Sequence, residues 1–381
     1  MQRGEHARQR RVPAAWAPAL LLLAVAGFAL GWVTSHFALA PARESTVGGG
    51  AVRALTAVGT AAPVPCAALD TARSGVVGTT VPVLLTRVSG GEVAVVEVCI
   101  GGHGPYSFVI DTGSPRSAID ARLAASLHLG AKGTVAVGGS GCATSGRTVA
   151  VPALRVGPLR LDAQAMVRAS LAGWSGRHFD GVLGSDVWGR FGVVRVDLTQ
   201  RTLSVASGEG PDPTGHSVVV GRSSSPPPPG LSLSGPTRST PINVVLAPES
   251  ISPFVQGMVA GHGPYAFALD TGSPTSSLSA TVGFTLHLPD QGSAEAPGGI
   301  GCRGIVPTLV PTPGAVTETG VASASGSLGR TLALRATVLP GPSAPGPARS
   351  GMVGSLGLDV LGADGALVVD YKDGTLTTGA G

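Results

Sequence analysis

Residues 102–115 read Gly-His-Gly-Pro-Tyr-Ser-Phe-Val-Ile-Asp-Thr-Gly-Ser-Pro, and residues 261–274 read Gly-His-Gly-Pro-Tyr-Ala-Phe-Ala-Leu-Asp-Thr-Gly-Ser-Pro. The offset, 270 minus 111, is 159. The same offset joins Pro82 to Pro241 upstream and Leu127-His128-Leu129 to Leu286-His287-Leu288 downstream, so the likeness is an internal repeat and not one shared tetrapeptide. Working outward, Gly138-Gly139-Ser140-Gly141-Cys142 matches Gly298-Gly299-Ile300-Gly301-Cys302, and Gly181-Val182-Leu183-Gly184-Ser185-Asp186-Val187 matches Gly354-Ser355-Leu356-Gly357-Leu358-Asp359-Val360. The second match stands at 354 minus 181, or 173, which leaves the second copy about 13 residues longer; the surplus is expected within residues 310–350.

Each copy reads mainly as strands. Residues 92–100 form a Val-, Ala- and Glu-rich run, residues 101–105 a turn, and residues 108–110 a buried strand that delivers Asp111 at its end. Asp373-Gly374 is a hairpin signal, and residues 117–129, with Ile119, Leu123 and Leu127 on one face, predict a short amphipathic helix.

A single Asp-Thr-Gly-Ser is weak evidence of chemistry, because Asp and Gly are turn formers. Two copies, each at the end of an apolar run, point to a shared carboxylate site. If the copies pack about a pseudo-twofold axis, Asp111 meets Asp270. Two carboxylates in a partly desolvated site do not both ionise easily, so they hold one proton between them and titrate as a unit. The ionised member then serves as general base toward a water and the neutral one as general acid. Gly113 and Gly272 let backbone N–H groups approach the carboxylates, and the hydroxyls of Thr112, Ser114, Thr271 and Ser273 are expected to brace them.

These residues resemble those of the retropepsin and pepsin superfamily of aspartic proteases, and most of all bacterial retropepsin-like members, here with two lobes fused in one chain. Gly181-Val182-Leu183-Gly184 and Ser355-Leu356-Gly357 resemble the family's second signature, which packs behind the catalytic loop. The resemblance implies an all-β fold of two lobes related by a pseudo-twofold, with Asp111 and Asp270 as the dyad and Thr112 and Thr271 interlocked across the lobes. It also implies a Gly-rich flap over the cleft, for which Gly138, Gly139, Ser140 and Gly141 and their partners Gly298, Gly299, Ile300 and Gly301 stand in the corresponding places. Neither segment has the flap tyrosine of pepsin-like enzymes, and ordinary Gly loops are the competing reading.

Four cysteines, Cys66, Cys99, Cys142 and Cys302, allow three pairings. Cys142 and Cys302 are repeat partners, and a disulfide between them near the pseudo-twofold axis is one expectation; two buried thiols are the other. His103 and His262 recur in the turn before the motif, and His128 and His287 after it. No His-x-x-x-His or Cys-x-x-Cys spacing accompanies them, so neither a metal nor another cofactor is expected. Ser114 and Ser273 lie outside any Gly-x-Ser-x-Gly elbow. Asp197 and Asp370 read as hairpin or sheet-edge residues.

Hydrophobic residues make up 43% of the 381, aromatics 4%, and Gly occurs 58 times, a mix suited to small aliphatic strands and tight turns. The formal charge of +4 is concentrated at the start, where Arg3, Arg8, Arg10 and Arg11 stand against Glu5; no basic stripe remains for nucleic acid. Residues 14–33 carry no charge and are long enough to span a bilayer. The arginines before them orient the bulk of the chain outside the cytoplasm. A cleaved signal peptide with a site at Ala38-Leu39-Ala40 is the alternative, against which Pro41 argues.

The expected order is therefore a cytoplasmic tail (1–13), a transmembrane anchor (14–35), a stalk (36–79), a first lobe (80–206), a Pro/Ser/Gly-rich linker (207–238) and a second lobe (239–377). The function implied is hydrolysis of peptide or protein substrates by a membrane-anchored, single-pass monomer whose lobes form an intramolecular pseudo-dimer. An extracytoplasmic peptide-binding or sensory module with the same fold and no turnover is the alternative.

Overall fold

A computed structural model describes residues 66, 80–139, 142–171, 177–206, 210–221, 227, 230–288, 290–295, 305–309, 316–318, 331–332, 336–339 and 352–381. The expected tail, anchor and most of the stalk lie outside these residues, and among those described no helix is long and apolar enough to cross a membrane. The described chain is mostly strand with a few one- or two-turn helices, in agreement with an all-β reading.

Three sheets account for it. A ten-stranded sheet is drawn from residues 84–183, an eleven-stranded sheet from residues 217–356, and a six-stranded sheet takes strands from both halves. In the shared sheet the strand Val193–Asp197 pairs antiparallel with Ala366–Asp370, Val194 facing Val369 and Val196 facing Leu367. Outside these lie Thr202–Val205 with Thr80–Pro82 on one side, and Thr375–Ala380 with Ser234–Pro241 on the other, so the order reads as its own mirror along the chain. Every residue of Ala366–Asp370 is buried, as the alternating pattern of a half-solvated strand would not allow.

Within each half an antiparallel pair leads into the motif: Gly91–Ile100 on His103–Ile110, and Ser250–Val259 on His262–Leu269. The signature strands Gly181–Leu183 and Met352–Leu356 lie parallel beside His103–Ile110 and His262–Leu269. Gly181 has no side chain because the Phe108 ring fills the place a Cβ would take. One hydrophobic cluster runs through both halves, from Val96, Phe108 and Trp188 to Phe267, Leu356 and Tyr371.

Two local expectations change. The predicted helix over 117–129 is a strand, Ala118–Asp120, followed by a helix of six residues, Ala121–Ser126. The Asp120 carboxylate caps the Arg122 N–H at 2.8 Å and accepts Leu171 N–H at 3.0 Å, which ends the strand and starts the helix at one residue. The segment expected as linker contributes an edge strand, Ser217–Val220, and the beginning of another, Ser234–Pro241. Both sit at sheet margins, where a Pro-rich neighbourhood leaves no central ladder broken.

Most of the extra length of the second copy is located. Leu154–Val156 and Leu159–Leu161 are joined by two residues, whereas their counterparts Val316–Glu318 and Thr331–Leu332 are joined by residues 319–330, which is twelve. This lies inside the expected 310–350. Asp373-Gly374 does turn a hairpin, with Asp370 facing Thr375 and Gly374 at φ 68°.

Candidate active site

Asp111 and Asp270 each follow the last residue of a strand that is exposed at its start and buried toward its end, and each backbone N–H is tied to the parallel signature strand, Asp111 to Leu183 O at 3.0 Å and Asp270 to Leu356 O at 2.9 Å. Two turns of identical sequence thus leave their sheets at the same height. They meet face to face. A Cβ built on Gly113 would lie 2.6 Å from Cγ of Asp270, and one on Gly272 would run into Cγ of Asp111, so each loop glycine makes room for the opposite carboxylate. Asp111 and Asp270 are hydrogen-bonded to one another through their side chains.

The threonines lock this arrangement. Thr112 Oγ1 donates to Leu269 O at 2.7 Å and accepts the Thr271 N–H at 3.2 Å, while Thr271 Oγ1 donates to Ile110 O at 2.8 Å and accepts the Thr112 N–H at 3.0 Å. All four bonds cross from one half to the other, and both side chains are buried, so none competes with water.

The serines act otherwise than expected. Ser114 Oγ donates to Arg116 O and Ser273 Oγ to Thr275 O, each at 2.7 Å, closing the turn after the motif. Support for the Asp111 carboxylate comes from the backbone: the Ser114 N–H donates to Oδ1 at 2.9 Å, and the Gly113 N–H donates as well. A hydroxyl has one proton, and here a carbonyl takes it, whereas the Ser114 N–H is shared between the Asp111 carboxylate at 2.9 Å and, more weakly, the Asp111 backbone carbonyl at 3.3 Å.

Burial pushes Asp111 well above the usual carboxylate range, the neighbouring charge of Asp270 pushes the same way, and the Ser114 and Gly113 N–H groups pull back. Asp111 is 5% exposed. The arrangement therefore favours one proton held within the pair over two bare charges.

Behind each loop stands a second carboxylate to which the sequence pattern gave no role, although it recurs in both copies. Asp186 accepts from Ser117 Oγ at 2.7 Å, and Ser117 Oγ accepts the Gly184 N–H at 2.9 Å; Asp359, Ser276 and Gly357 repeat the set at 2.7 and 2.9 Å. Burial raises Asp186 to about 6 and raises Asp359 as well. These pairs tie the signature glycine to the strand that follows the motif. The repeated Asp after Gly-x, with a Ser 159 residues from its partner Ser, was the available signal.

The remaining candidates are scattered. Gly138 and Gly139 end the strand Ala131–Gly139, which pairs with Cys142–Val151 as a hairpin, Gly139 opposite Cys142. Ser140, Gly141, Gly298, Gly299, Ile300, Gly301 and Cys302 lie outside the described residues, and with them the expected Cys142–Cys302 bridge. Cys66 is bonded to Cys99, one of the pairings left open. His103 and His262 are exposed at strand starts, and His128 and His287 follow the short helices at φ 51° and 52°, the left-handed position that ends a helix. Among the described residues no three His, Cys, Asp or Glu side chains cluster as metal ligands. Asp197 and Asp370 cap the turns that follow their strands, accepting Gln200 N–H at 2.7 Å and Asp373 N–H at 2.8 Å.

Residues 96–187 match the aspartyl protease family. The matched stretch runs from the strand before the first motif to the helix after its signature, and so covers the Asp111 loop and all that supports it within the first half. The likeness supports an aspartyl protease, retropepsin-like domain there. No curated protein matches the chain.

Proposed function

We propose that this protein is an aspartic endopeptidase, with residues 80–206 and 239–377 as its two lobes and Asp111 and Asp270 as its single catalytic dyad. The observation that carries the reading is the meeting of the two carboxylates in a buried setting, from loops of identical sequence, beside a family match to aspartyl proteases over residues 96–187.

The chemistry follows from the shared proton. The ionised carboxylate takes a proton from a water molecule as the water oxygen bonds to the scissile carbonyl carbon, and the neutral carboxyl gives its proton to the carbonyl oxygen. The tetrahedral diol then collapses: one carboxyl protonates the amide nitrogen, the other accepts a proton from the diol, and the C–N bond breaks. A carboxylic acid and an amine leave, and the pair again holds one proton. No step needs a metal or a covalent enzyme intermediate.

In this reading residues 14–35 anchor the chain in a membrane, with the catalytic part outside the cytoplasm. The Cys66–Cys99 disulfide supports an oxidising compartment. Retention of the full-length protein in carbonate-washed membranes tests the anchor; a soluble form beginning after residue 40 would replace it with a cleaved signal.

The decisive experiment offers a peptide library to the full-length protein in detergent. Hydrolysis is expected, with inhibition by a statine-type transition-state analogue and loss in both Asp111→Asn and Asp270→Asn. A wild-type protein that leaves every peptide intact, while both variants and wild type retain one of them equally, would instead be a binding module.

A further inference from the structure

The two halves differ directly beneath the dyad. The residue after the strand Ala366–Asp370 is Tyr371, and the residue after its counterpart Val193–Asp197 is Leu198. Both cross to the opposite half in the same way. The Tyr371 N–H donates to Gly192 O at 2.7 Å and its ring lies against Gly189; the Leu198 N–H donates to Gly365 O at 2.8 Å and its side chain lies against Gly362. Gly189 and Gly362 follow the two signature helices at matching places, as Gly192 and Gly365 precede the two strands, so the positions are equivalent and only one of them presents a hydroxyl.

What that hydroxyl meets also differs. The signature glycines are followed by Ser185 in the first half and Leu358 in the second. Ser185 Oγ donates to Thr112 O at 2.8 Å and lies 3.0 Å from the Tyr371 oxygen. Its single proton is committed to the carbonyl, so the Tyr371 O–H is the donor of the other bond. Both side chains are fully buried, and burial holds the phenol far above its ordinary range, which keeps it a donor. The Thr112 carbonyl belongs to the same peptide group as the Gly113 N–H, and that N–H donates to Asp111. An unbroken run therefore leads from Tyr371 through Ser185 and the Thr112–Gly113 peptide to the Asp111 carboxylate. Each bond in such a run polarises the next. With leucines at 358 and 198, no equivalent run leads to Asp270.

We propose that Tyr371 and Ser185 are positioning residues that stabilise negative charge on Asp111 through the Thr112–Gly113 peptide, so that the two carboxylates of the dyad are chemically unequal. This rests on the reading of Asp111 and Asp270 as a proton-sharing catalytic pair. The ionisable groups facing the run are Asp111, with Asp270 beyond it, and Asp186, which acts on Tyr371 and itself faces Arg190.

Breaking the run takes away support from ionised Asp111 only, and linkage then requires the sum of the dyad's two apparent pKa values to rise. The pH profile of kcat/KM of the full-length protein reads both. Tyr371→Phe, which deletes one oxygen and keeps the ring, is expected to raise the sum by on the order of half a unit. Ser185→Ala should do the same, and the double variant no more than either alone. The limb that moves locates the charge: the acid limb if Asp111 is ionised in the singly protonated pair, the basic limb if Asp270 is. Leu198→Met, at the equivalent place, should move neither. Profiles of Tyr371→Phe and Ser185→Ala that overlie wild type, even with lower kcat, would overturn the proposal and leave the dyad reading intact. Should wild type cleave nothing, the dyad reading fails instead. Titration of aspartate 13C-carboxyl resonances, assigned by Asp111→Asn and Asp270→Asn, would still test the run, because Tyr371→Phe must raise the pair's titration and an unmoved pair rejects it.

Discussion

The two halves agree most closely in the loops that meet at the dyad and less outside them. Across the motif loops the bonds recur in pairs: Thr112 with Thr271, Ser114 with Ser273, Ser117 and Asp186 with Ser276 and Asp359. Away from the loops the likeness lapses, in the twelve residues that join Val316–Glu318 to Thr331–Leu332, in the hydroxyl run beneath Asp111, and at Cys99, whose place in the second half is taken by Met258. A shared site constrains both copies at once, whereas a peripheral strand answers only to its own half. Symmetry is kept where a carboxylate must face a carboxylate.

The severest way to break this comparison is to remove one carboxylate at a time. Asp111→Asn and Asp270→Asn should each lower kcat/KM by at least about 10³-fold, since a general base without its acid, or the reverse, loses the coupled proton transfers. Equal losses are the expected outcome in a peptide-cleavage assay. A variant at Asp270 that keeps a tenth of the activity would mean that the second loop is a scaffold.

A stability measurement tests the asymmetric element. The Cys66–Cys99 bond closes a loop with a sequence separation of 33 and ties the segment before the first strand to the strand Gly91–Ile100. Replacing both cysteines by serine should lower unfolding free energy by about 3 to 4 kcal/mol in urea denaturation, from the entropy returned to the unfolded chain. Activity at low temperature should be unchanged, because neither cysteine belongs to the loops that meet at the dyad. The second half, with Met258 in the place of Cys99, has no such staple there.

Sequence and structure part company in an instructive order. The strands that deliver Asp111 and Asp270, the turn after Ile100 and the hairpin at Asp373-Gly374 were legible, because each is set by neighbours within a few residues. The strand Ala118–Asp120 was not: Ala118 and Ile119 suit a helix face as well as a strand, and only pairing with Val167 and Gly181, some fifty and sixty residues on, decides between them. Ser185 and Tyr371 were visible as letters, but their meaning depends on a contact spanning 186 residues, for which no local pattern exists. The cysteines are the same case, since spacing alone left three pairings open.

The carboxylates behind the loops sharpen the comparison through pH. Burial raises Asp186 from 3.8 in the unfolded chain to about 6 in the fold. An acid raised in this way contributes stability that is fully present below its unfolded value and is lost as pH rises through its folded value, here between about pH 4 and pH 6. The difference corresponds to about 3 kcal/mol, and Asp111 and Asp359 are raised with the same sign. The protein should therefore melt at a higher temperature near pH 4.5 than at pH 7. Asp186→Asn should flatten that dependence more than Asp359→Asn, because Asp186 is buried whereas Asp359 is open to solvent, which screens its shift.

The smallest effect probes the contact that makes one site of two loops. Thr112→Val and Thr271→Val keep the side-chain shape and delete a hydroxyl that donates once and accepts once across the halves. Each deletion leaves a buried N–H and a buried carbonyl short of a partner, so each should cost about 2 kcal/mol in chemical denaturation. The two sites are in direct contact, for the Thr112 hydroxyl accepts from the Thr271 backbone and the reverse. The double variant should therefore fall short of, or exceed, the sum of the two by more than about 0.5 kcal/mol. Strict additivity would mean that the loops are held by their own sheets and merely touch. A measurable coupling energy would mean that each motif is completed by the other, which is the reason the same four residues stand twice in the chain.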